Sequence, residues 1–273
     1  MTKQKLAGVV LDWAGTTIDH GCLAPAAVFQ KIFSQRQVPV TVAQARGPMG
    51  MAKREHIQAV AALPDVARRW QETHGHAVSE SDIDAMYADF LPMQKAILAD
   101  YAQMIPGVTE AIEHLRSLGL KIGSSTGYTQ ELMQIVSPAA AQQGYTPDFV
   151  LCAEDAPRGR PAPYLLFLAA MKMDIYPMSQ IVKVDDTVVG IEAGRNAGCW
   201  TIGITRTGNE VGYSEDEWNQ LDSFRQSEHL QKAEEKLLQA GADYCLESVA
   251  ELPSILPELQ RRLDAGERPT VGF

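Results

Sequence analysis

Val9-Val10-Leu11-Asp12-Trp13-Ala14-Gly15-Thr16-Thr17 is the stretch around which the chain is organised. The apolar run 6–11 has the length and composition of a short buried strand. It ends in a carboxylate followed by a glycine and two threonines, which are loop residues. Open α/β sheets hold their ligands at the carboxyl ends of their strands. A carboxylate there can serve as a nucleophile or hold a cation, or it can simply cap the residues after it.

Beyond Thr17 the pattern changes. Apolar residues recur at helical spacing over 25–35, 51–63, 64–74 and 81–99, with almost no strand signal, and Ser79 to Asp82 offer capping chemistry for the last helix. From Pro106 strands and helices alternate: helix 108–118, strand 120–123, helix 130–142, strand 149–152, helix 163–171, strand 181–184, helix 190–197 and strand 200–204. After a long polar stretch, 205–227, with a short helix after Ser214 and no assigned chemistry, helix 229–239 leads to a last strand, 244–246. Such alternation predicts a parallel sheet with right-handed crossovers. The organisation expected is therefore α/β: a Rossmann-like parallel-sheet core from 1–20 and 100–273, interrupted by an α-helical cap, 21–99. Inserted one loop after Asp12, the cap would hang over it as a lid.

The net charge of −10 argues against a general nucleic-acid binder, but not against a small anion held by a few arginines. Cys22, Cys152, Cys199 and Cys245 are scattered with no CxxC pair, which fits reduced thiols. The residues before Asp12 are too few and too polar for a secretion signal, and no run approaches a membrane span. A cytoplasmic protein without nucleic-acid or membrane partners is expected. Ala26, Ala27, Phe29, Ile32 and Phe33 give the first cap helix more apolar surface than one face needs, which points to a homodimer through the cap.

Three strand ends carry polar groups: Asp12, Ser125-Thr126-Gly127 and Asp185-Asp186. Parallel strands bring them to one rim. Paired carboxylates favour a hard cation such as Mg²⁺. Thr126 and the neighbouring backbone N–H groups suit a phosphate oxygen, and Arg160 can add a fork of donors.

This pattern resembles the haloacid dehalogenase superfamily, in the subclass with a helical cap after the first motif, over essentially the whole chain. The resemblance implies that Asp12 attacks phosphorus and becomes an aspartyl-phosphate. It also exposes a departure. Most phosphatases of this kind have a second aspartate two residues on, which protonates the leaving oxygen of an ester; here the residue is Ala14. Without that acid an alkoxide is poorly expelled.

Arg46 to His56 reads as a Gly/Pro loop entering a helix, with Met49, Lys53, His56 and Val60 on one face. A lysine among apolar neighbours in a first turn, near Arg54, should have a depressed pKa. As a free amine it can form a Schiff base with a carbonyl; the plainer alternative is a snorkelling surface lysine. The stretches 12–17 and 47–56 together resemble the signatures of the phosphonoacetaldehyde hydrolase (phosphonatase) family. That resemblance implies hydrolysis of phosphonoacetaldehyde to acetaldehyde and phosphate, with the electrons of the C–P bond accepted by an iminium on Lys53. It implies Mg²⁺ held by Asp12, the Ala14 carbonyl and Asp186, with Asp185 as an indirect partner, and phosphoryl oxygens bound by Thr126, Gly127 and Arg160. Cys22, Met49, His56 and Tyr128 would surround the imine. Some relatives carry Gly-Asp with another acid four residues on; this chain has Asp185-Asp186 and Gly190. Two alternatives stand beside this reading. One is a phosphomonoester phosphatase or mutase of the same superfamily, disfavoured by Ala14. The other is a non-catalytic phospholigand-binding protein, disfavoured by the intact Asp12, Thr126, Arg160 and Asp186.

Overall fold

Strand β1 (Gly8–Leu11) is buried throughout, as its unbroken apolar run requires of a central parallel strand. The computed structural model describes residues 5–270; the extreme ends of both core segments, 1–4 and 271–273, lie outside the described residues. The helical insertion comes after β1: α1 (Leu23–Gln35), α2 (Val42–Arg46), α3 (Lys53–Ala61), α4 (Pro64–His74) and α5 (Glu80–Leu98). The alternating part comprises α6 (Val108–Ser117), β2 (Lys121–Ser125), α7 (Gln130–Gln142), β3 (Phe149–Leu151), α8 (Tyr164–Met173), β4 (Ile181–Asp185), α9 (Val188–Ala197) and β5 (Trp200–Ile204). It closes with α10 (Glu215–Asn219), α11 (Ser223–Ala240), β6 (Tyr244–Leu246) and α12 (Leu252–Asp264).

The six strands form one all-parallel sheet in the order β3-β2-β1-β4-β5-β6. β1 lies between β2 and β4, so the tips of these three strands share a rim. Side chains alternate across the pleat: Val9 and Leu11 pack with residues of α6, α7 and α12, and Val10 packs with residues of α8 and α9. β2 and β4 run on to Ser125 and Asp185, beyond the apolar residues that mark them, because their polar ends are buried at the site rather than in water.

Three helical segments lie outside the helices expected from the sequence: α2, the first turns of α11, and α12. α2 is only five residues long and is held by a reciprocal cap between Thr41 and Gln44. α11 starts at Ser223, capped by Asp222, six residues before its apolar stripe. α12 buries Leu252, Leu256, Leu259 and Leu263. The apolar excess of α1 is used inside the monomer: Ala26, Phe29, Ile32 and Phe33 are buried, and only Ala27 faces out. A shallow groove of about 480 Å³ remains between α1 and α5 on the outer face. No helix among the described residues is long and apolar enough to cross a membrane.

The two linkers of the insertion run side by side. Ile105 N–H donates to Thr17 C=O (3.0 Å) and Asp19 N–H to Gln103 C=O (3.2 Å). Asp19 is buried there, and its two carboxylate oxygens accept the first N–H groups of α1, from Leu23 (3.0 Å) and Ala24 (3.1 Å). Asp19→Ala orphans both donors and should cost about 1–2 kcal/mol, whereas Asp19→Asn keeps an acceptor and should lose less. Urea unfolding checks the ranking; equal stability of the two variants and the parent would refute the cap.

Candidate active site

Asp12 extends the ladder one residue past β1 by donating its N–H to Val184 C=O (3.1 Å), which sets its side chain between the tips of β2 and β4. Trp13 pins the turn from below, its indole N–H on Ser124 Oγ (2.9 Å) and its ring edge-on to Tyr145. The N–H groups of Thr16, Thr17 and Ile18 all fold back onto Trp13 C=O. Gly15 adopts φ +83°, and a Cβ there would fall 2.2 Å from Asp186 Oδ2, so only glycine lets the turn lie against that carboxylate.

The tip of β4 supplies two carboxylates with different surroundings. Asp186 accepts Thr16 Oγ1 (2.8 Å) and Asn209 N–H (2.8 Å) and has no ion pair among the described residues. Asp185 Oδ1 accepts the N–H and hydroxyl of Thr187 (3.0 and 2.7 Å). Its Oδ2 faces Lys183 Nζ (2.8 Å) and Arg160 Nη1 (3.1 Å). Arg160 Nη2 in turn donates to Asp12 Oδ1 (2.7 Å). One oxygen from each of Asp12, Asp185 and Asp186 lies within 4.8 Å of the others, all buried.

The carboxyls respond accordingly. Burial raises the pKa of Asp12 against the pull of Arg160. Burial would also raise that of Asp185, but Arg160 and Lys183 override it and hold it low. Asp186 is pushed well above the usual carboxylate range by burial and by its two acidic neighbours. Three carboxylates thus meet two cations. The donor set is hard oxygen, and Asp12 and Asp186 keep oxygens that no protein cation covers, so a small divalent ion fits this site.

At the tip of β2, Thr126 Oγ1 accepts Tyr128 N–H (3.1 Å), leaving the hydroxyl proton to donate outward. Across from it stands the insertion. Lys53 is the first residue of α3 and only 4% exposed. Its Nζ sits over the rings of Tyr128 (4.7 Å), Phe29 (5.6 Å) and Phe90 (5.9 Å) and makes no hydrogen bond or ion pair among the described residues. Burial above all pulls its pKa down to about 8, with Cys22 and Asp12 opposing and Arg160 adding to the fall. The like charge is therefore Arg160 and not Arg54, which lies round the helix and pairs with Glu80 and Asp84, each at 2.7 Å. Met49 likewise is not on the helical face; it reaches the site from the turn before α3.

Asp12, Ala14, Cys22, Met49, Lys53, Thr126, Gly127 and Tyr128 border one cavity at the junction of core and insertion. Arg160, Asp185 and Asp186 are buried with Asp12 in the charged cluster. His56 is absent from the cavity wall. It stacks on Phe29 (3.6 Å between centroids), donates Nε2–H to Ala45 C=O (2.8 Å), and is held neutral by burial and by Lys53, its pKa pushed down to about 3. The cavity measures about 20 Å³, room for about one water. The turn 47–52 closes it: a Cβ on Gly50 would fall 2.4 Å from Thr187 Oγ1, and one on Gly127 2.8 Å from the Gly50 and Met51 carbonyls.

A family model for haloacid dehalogenase-like hydrolases matches residues 6–198. The chain is 43% identical to the phosphonoacetaldehyde hydrolase of Nitratidesulfovibrio vulgaris, covering 96% of this chain and 93% of that one. The chain belongs to the phosphonoacetaldehyde hydrolase family. It is also 44% identical to the family member of Paraburkholderia phytofirmans, over 96% and 98% of the two chains. The crystal structure of a phosphonoacetaldehyde hydrolase-like protein from Oleispira antarctica superposes with a TM-score of 0.95, at 41% identity and over 98% and 97% of the chains. The Rossmann-type core is thus that of this hydrolase family.

Sequence reasoning missed Lys183, Thr207 and Asn209. Lys183 had a signal: it is the one cation in β4, set among Ile181, Val182 and Val184. The other two act from a polar loop whose composition gives no hint of burial.

Asp185 has a spatial counterpart. A Cβ on Gly190 would lie 2.0 Å from Asp185 Cγ, so the Asp185 carboxyl fills the space that a side chain at 190 would use. Asp185→Gly strips Lys183 of its ion pair and leaves Arg160 with Asp12 alone, and Gly190→Asp overpacks the site. Each should cost about 2 kcal/mol or more, whereas the exchange Asp185→Gly/Gly190→Asp should recover most of the loss in urea unfolding. Additive losses would show that the two positions do not share one carboxyl site.

Proposed function

We propose that the protein hydrolyses the carbon–phosphorus bond of phosphonoacetaldehyde to acetaldehyde and phosphate, with Lys53 as the imine-forming amine and Asp12 as the phosphoryl acceptor. The observation that carries this reading is the juxtaposition in one cavity of a buried, unpaired lysine and a strand-end aspartate, with Ala14 where an ester phosphatase needs its acid. The names of the relatives support the same substrate.

The uncharged Lys53 amine condenses with the aldehyde and releases water. Protonation gives an iminium, and the faces of Tyr128, Phe29 and Phe90 stabilise its positive charge. Asp12 attacks phosphorus opposite the carbon. The C–P electrons flow into the iminium and form an enamine, so no free carbanion appears. Protonation at carbon and hydrolysis release acetaldehyde and the amine; a second water frees phosphate from Asp12. Arg160 orients Asp12 through Oδ1 and, with Thr126 and Gly127, offers donors to the phosphoryl oxygens. Arginine suits this position because it cannot condense with the aldehyde. Cys22, Met49 and Tyr128 shape the imine's surroundings, and His56 supports Phe29 from behind. Mg²⁺ on Asp12, Asp186 and the Ala14 carbonyl would offset the negative charge of carboxylate and phosphoryl group, with Asp185 acting through Arg160 and Lys183.

In this reading residues 21–99 are a cap that opens for substrate and closes to exclude water. The groove between α1 and α5 would seat a second copy, giving a homodimer through the cap, and the unpaired cysteines fit a cytoplasmic enzyme.

Borohydride with phosphonoacetaldehyde or acetaldehyde should trap a covalent adduct on Lys53, located by peptide mass spectrometry. Because the protonated amine cannot attack, the trapping rate should climb as pH rises through about 8 and then level off. Lys53→Arg should give no adduct. Folded wild-type protein that yields no adduct at Lys53 would overturn the mechanism and leave ester hydrolysis open.

A further inference from the structure

The loop after β5 enters the site at three points. Thr207 Oγ1 donates to Gly15 C=O (2.9 Å), and Gly21 N–H donates to Thr207 C=O (2.7 Å). Asn209 N–H holds Asp186 Oδ2 at 2.8 Å. Asn209 is 2% exposed; its Nδ2 donates to Glu210 Oε1 (3.1 Å), and its carbonyl and amide meet Arg46, at the end of α2 in the insertion. Arg46 Nη1 donates to Asn209 C=O (3.2 Å) and Oδ1 (3.1 Å), and Asn209 Nδ2 donates back to Arg46 C=O (3.3 Å). Arg46 also donates to Gly21 C=O (2.8 Å) and Gly212 C=O (3.2 Å). A Cβ on Gly212 would stand 2.8 Å from Arg46 Cζ, so the guanidinium is seated without slack.

All these acceptors are neutral, and Arg46 makes no ion pair among the described residues. Hydrogen bonds to neutral carbonyls depend on direction and weaken steeply when misaligned. The contact therefore exists only while α2 is docked on the core. Among the described residues, Asn209 is the one hydrogen-bonded to both the docked arginine and Asp186. Asparagine suits the position because it accepts and donates at once; an aspartate would add a fourth carboxyl to a site already short of cations.

We propose that Asn209 is a positioning residue that couples docking of the insertion to the placement of Asp186. With α2 docked, Arg46 fixes Asn209 and thereby the N–H that aims Asp186. With α2 withdrawn, that aim is lost. The inference rests on the reading of Asp186 as a metal ligand. Coupling of this kind is reciprocal: a cation on Asp186 must favour the docked insertion by the factor by which docking favours the cation.

The test measures Mg²⁺ binding by calorimetry, without substrate, on the whole protein and on Arg46→Met, Asn209→Ala and the double variant, each checked for folding by its melting curve. Asn209→Ala keeps the backbone N–H on Asp186 and removes the side-chain bonds to Arg46 and to Glu210 Oε1 (3.1 Å), so the double variant with Arg46→Met is what assigns its effect to Arg46. Each single change should weaken Mg²⁺ by about 5- to 50-fold, with the double variant no weaker than the worse single. Mg²⁺ should also slow proteolysis of the linkers 17–22 and 99–106 in the parent and not in the variants. If Arg46→Met does not fold, Asn209→Ala carries the same test alone. Parental Mg²⁺ affinity in a folded variant, or losses that multiply, would overturn the coupling. A parent that binds no Mg²⁺ would overturn the metal reading beneath it.

Discussion

Three carboxylates are buried together at the tips of β1 and β4 with two cations among them, and the rest of the site depends on that imbalance. Burying a charge is tolerable only when it is paired and hydrogen-bonded. Arg160 and Lys183 satisfy Asp185, and Arg160 reaches past it to one oxygen of Asp12. Asp186 is left with only a hydroxyl and a backbone N–H. The fold therefore builds an under-compensated carboxylate beside Asp12, which keeps one oxygen free of protein cations. Such a place suits a small cation, and in the proposed reaction a phosphoryl group beside it, because each supplies what the other lacks.

The insertion adds a chemistry that the core does not contain. The core rim holds anions and their counter-ions; α3 brings an amine into the same cavity and surrounds it with rings instead of carboxylates. Desolvation by the docked insertion is what pulls the Lys53 pKa down to about 8, as the proposed imine chemistry requires. In the proposed reaction the docked insertion brings the two halves together, and the cavity between them has room for about one water. Arg46 and Asn209 tie that movement back to Asp186, so docking and charge placement need not be separate events.

Most of the sheet was legible because its strands are continuous apolar runs ending in polar loops, a pattern that hydropathy alone reveals. Asp12, Thr126 and Asp186 were legible for the same reason: a strand end fixes where a residue points. Lys53 was legible as a lysine set into an apolar helical face. What escaped depends on long-range packing. Asn209 contributes to Asp186 through its backbone, which every residue possesses, and its side chain acts only once α2 is docked beside it. His56 shared the helical spacing of Lys53, yet Phe29 and Ala45 draw it behind the wall of the cavity. The apolar surplus of α1 reads from sequence as a partner surface; four of its five residues, all but Ala27, lie in the insertion's own core, and the groove beside Ala27 is what α1 leaves to a partner. Asp185 could be read as a metal neighbour from its position, whereas its commitment to Arg160 and Lys183 required the fold.

The reaction proposed for this site stands or falls on carbon, and not oxygen, being the leaving atom. The most direct measurement is phosphorus NMR of phosphate release, at equal concentration, from phosphonoacetaldehyde and from its oxygen-bridged counterpart, glycolaldehyde phosphate. Steady phosphate release is expected from the phosphonate, and release from the ester should be slower by at least about a hundredfold, since Ala14 cannot protonate an alkoxide. Equal or faster hydrolysis of the ester, or no cleavage of the phosphonate by folded, Mg²⁺-supplied protein, would contradict it.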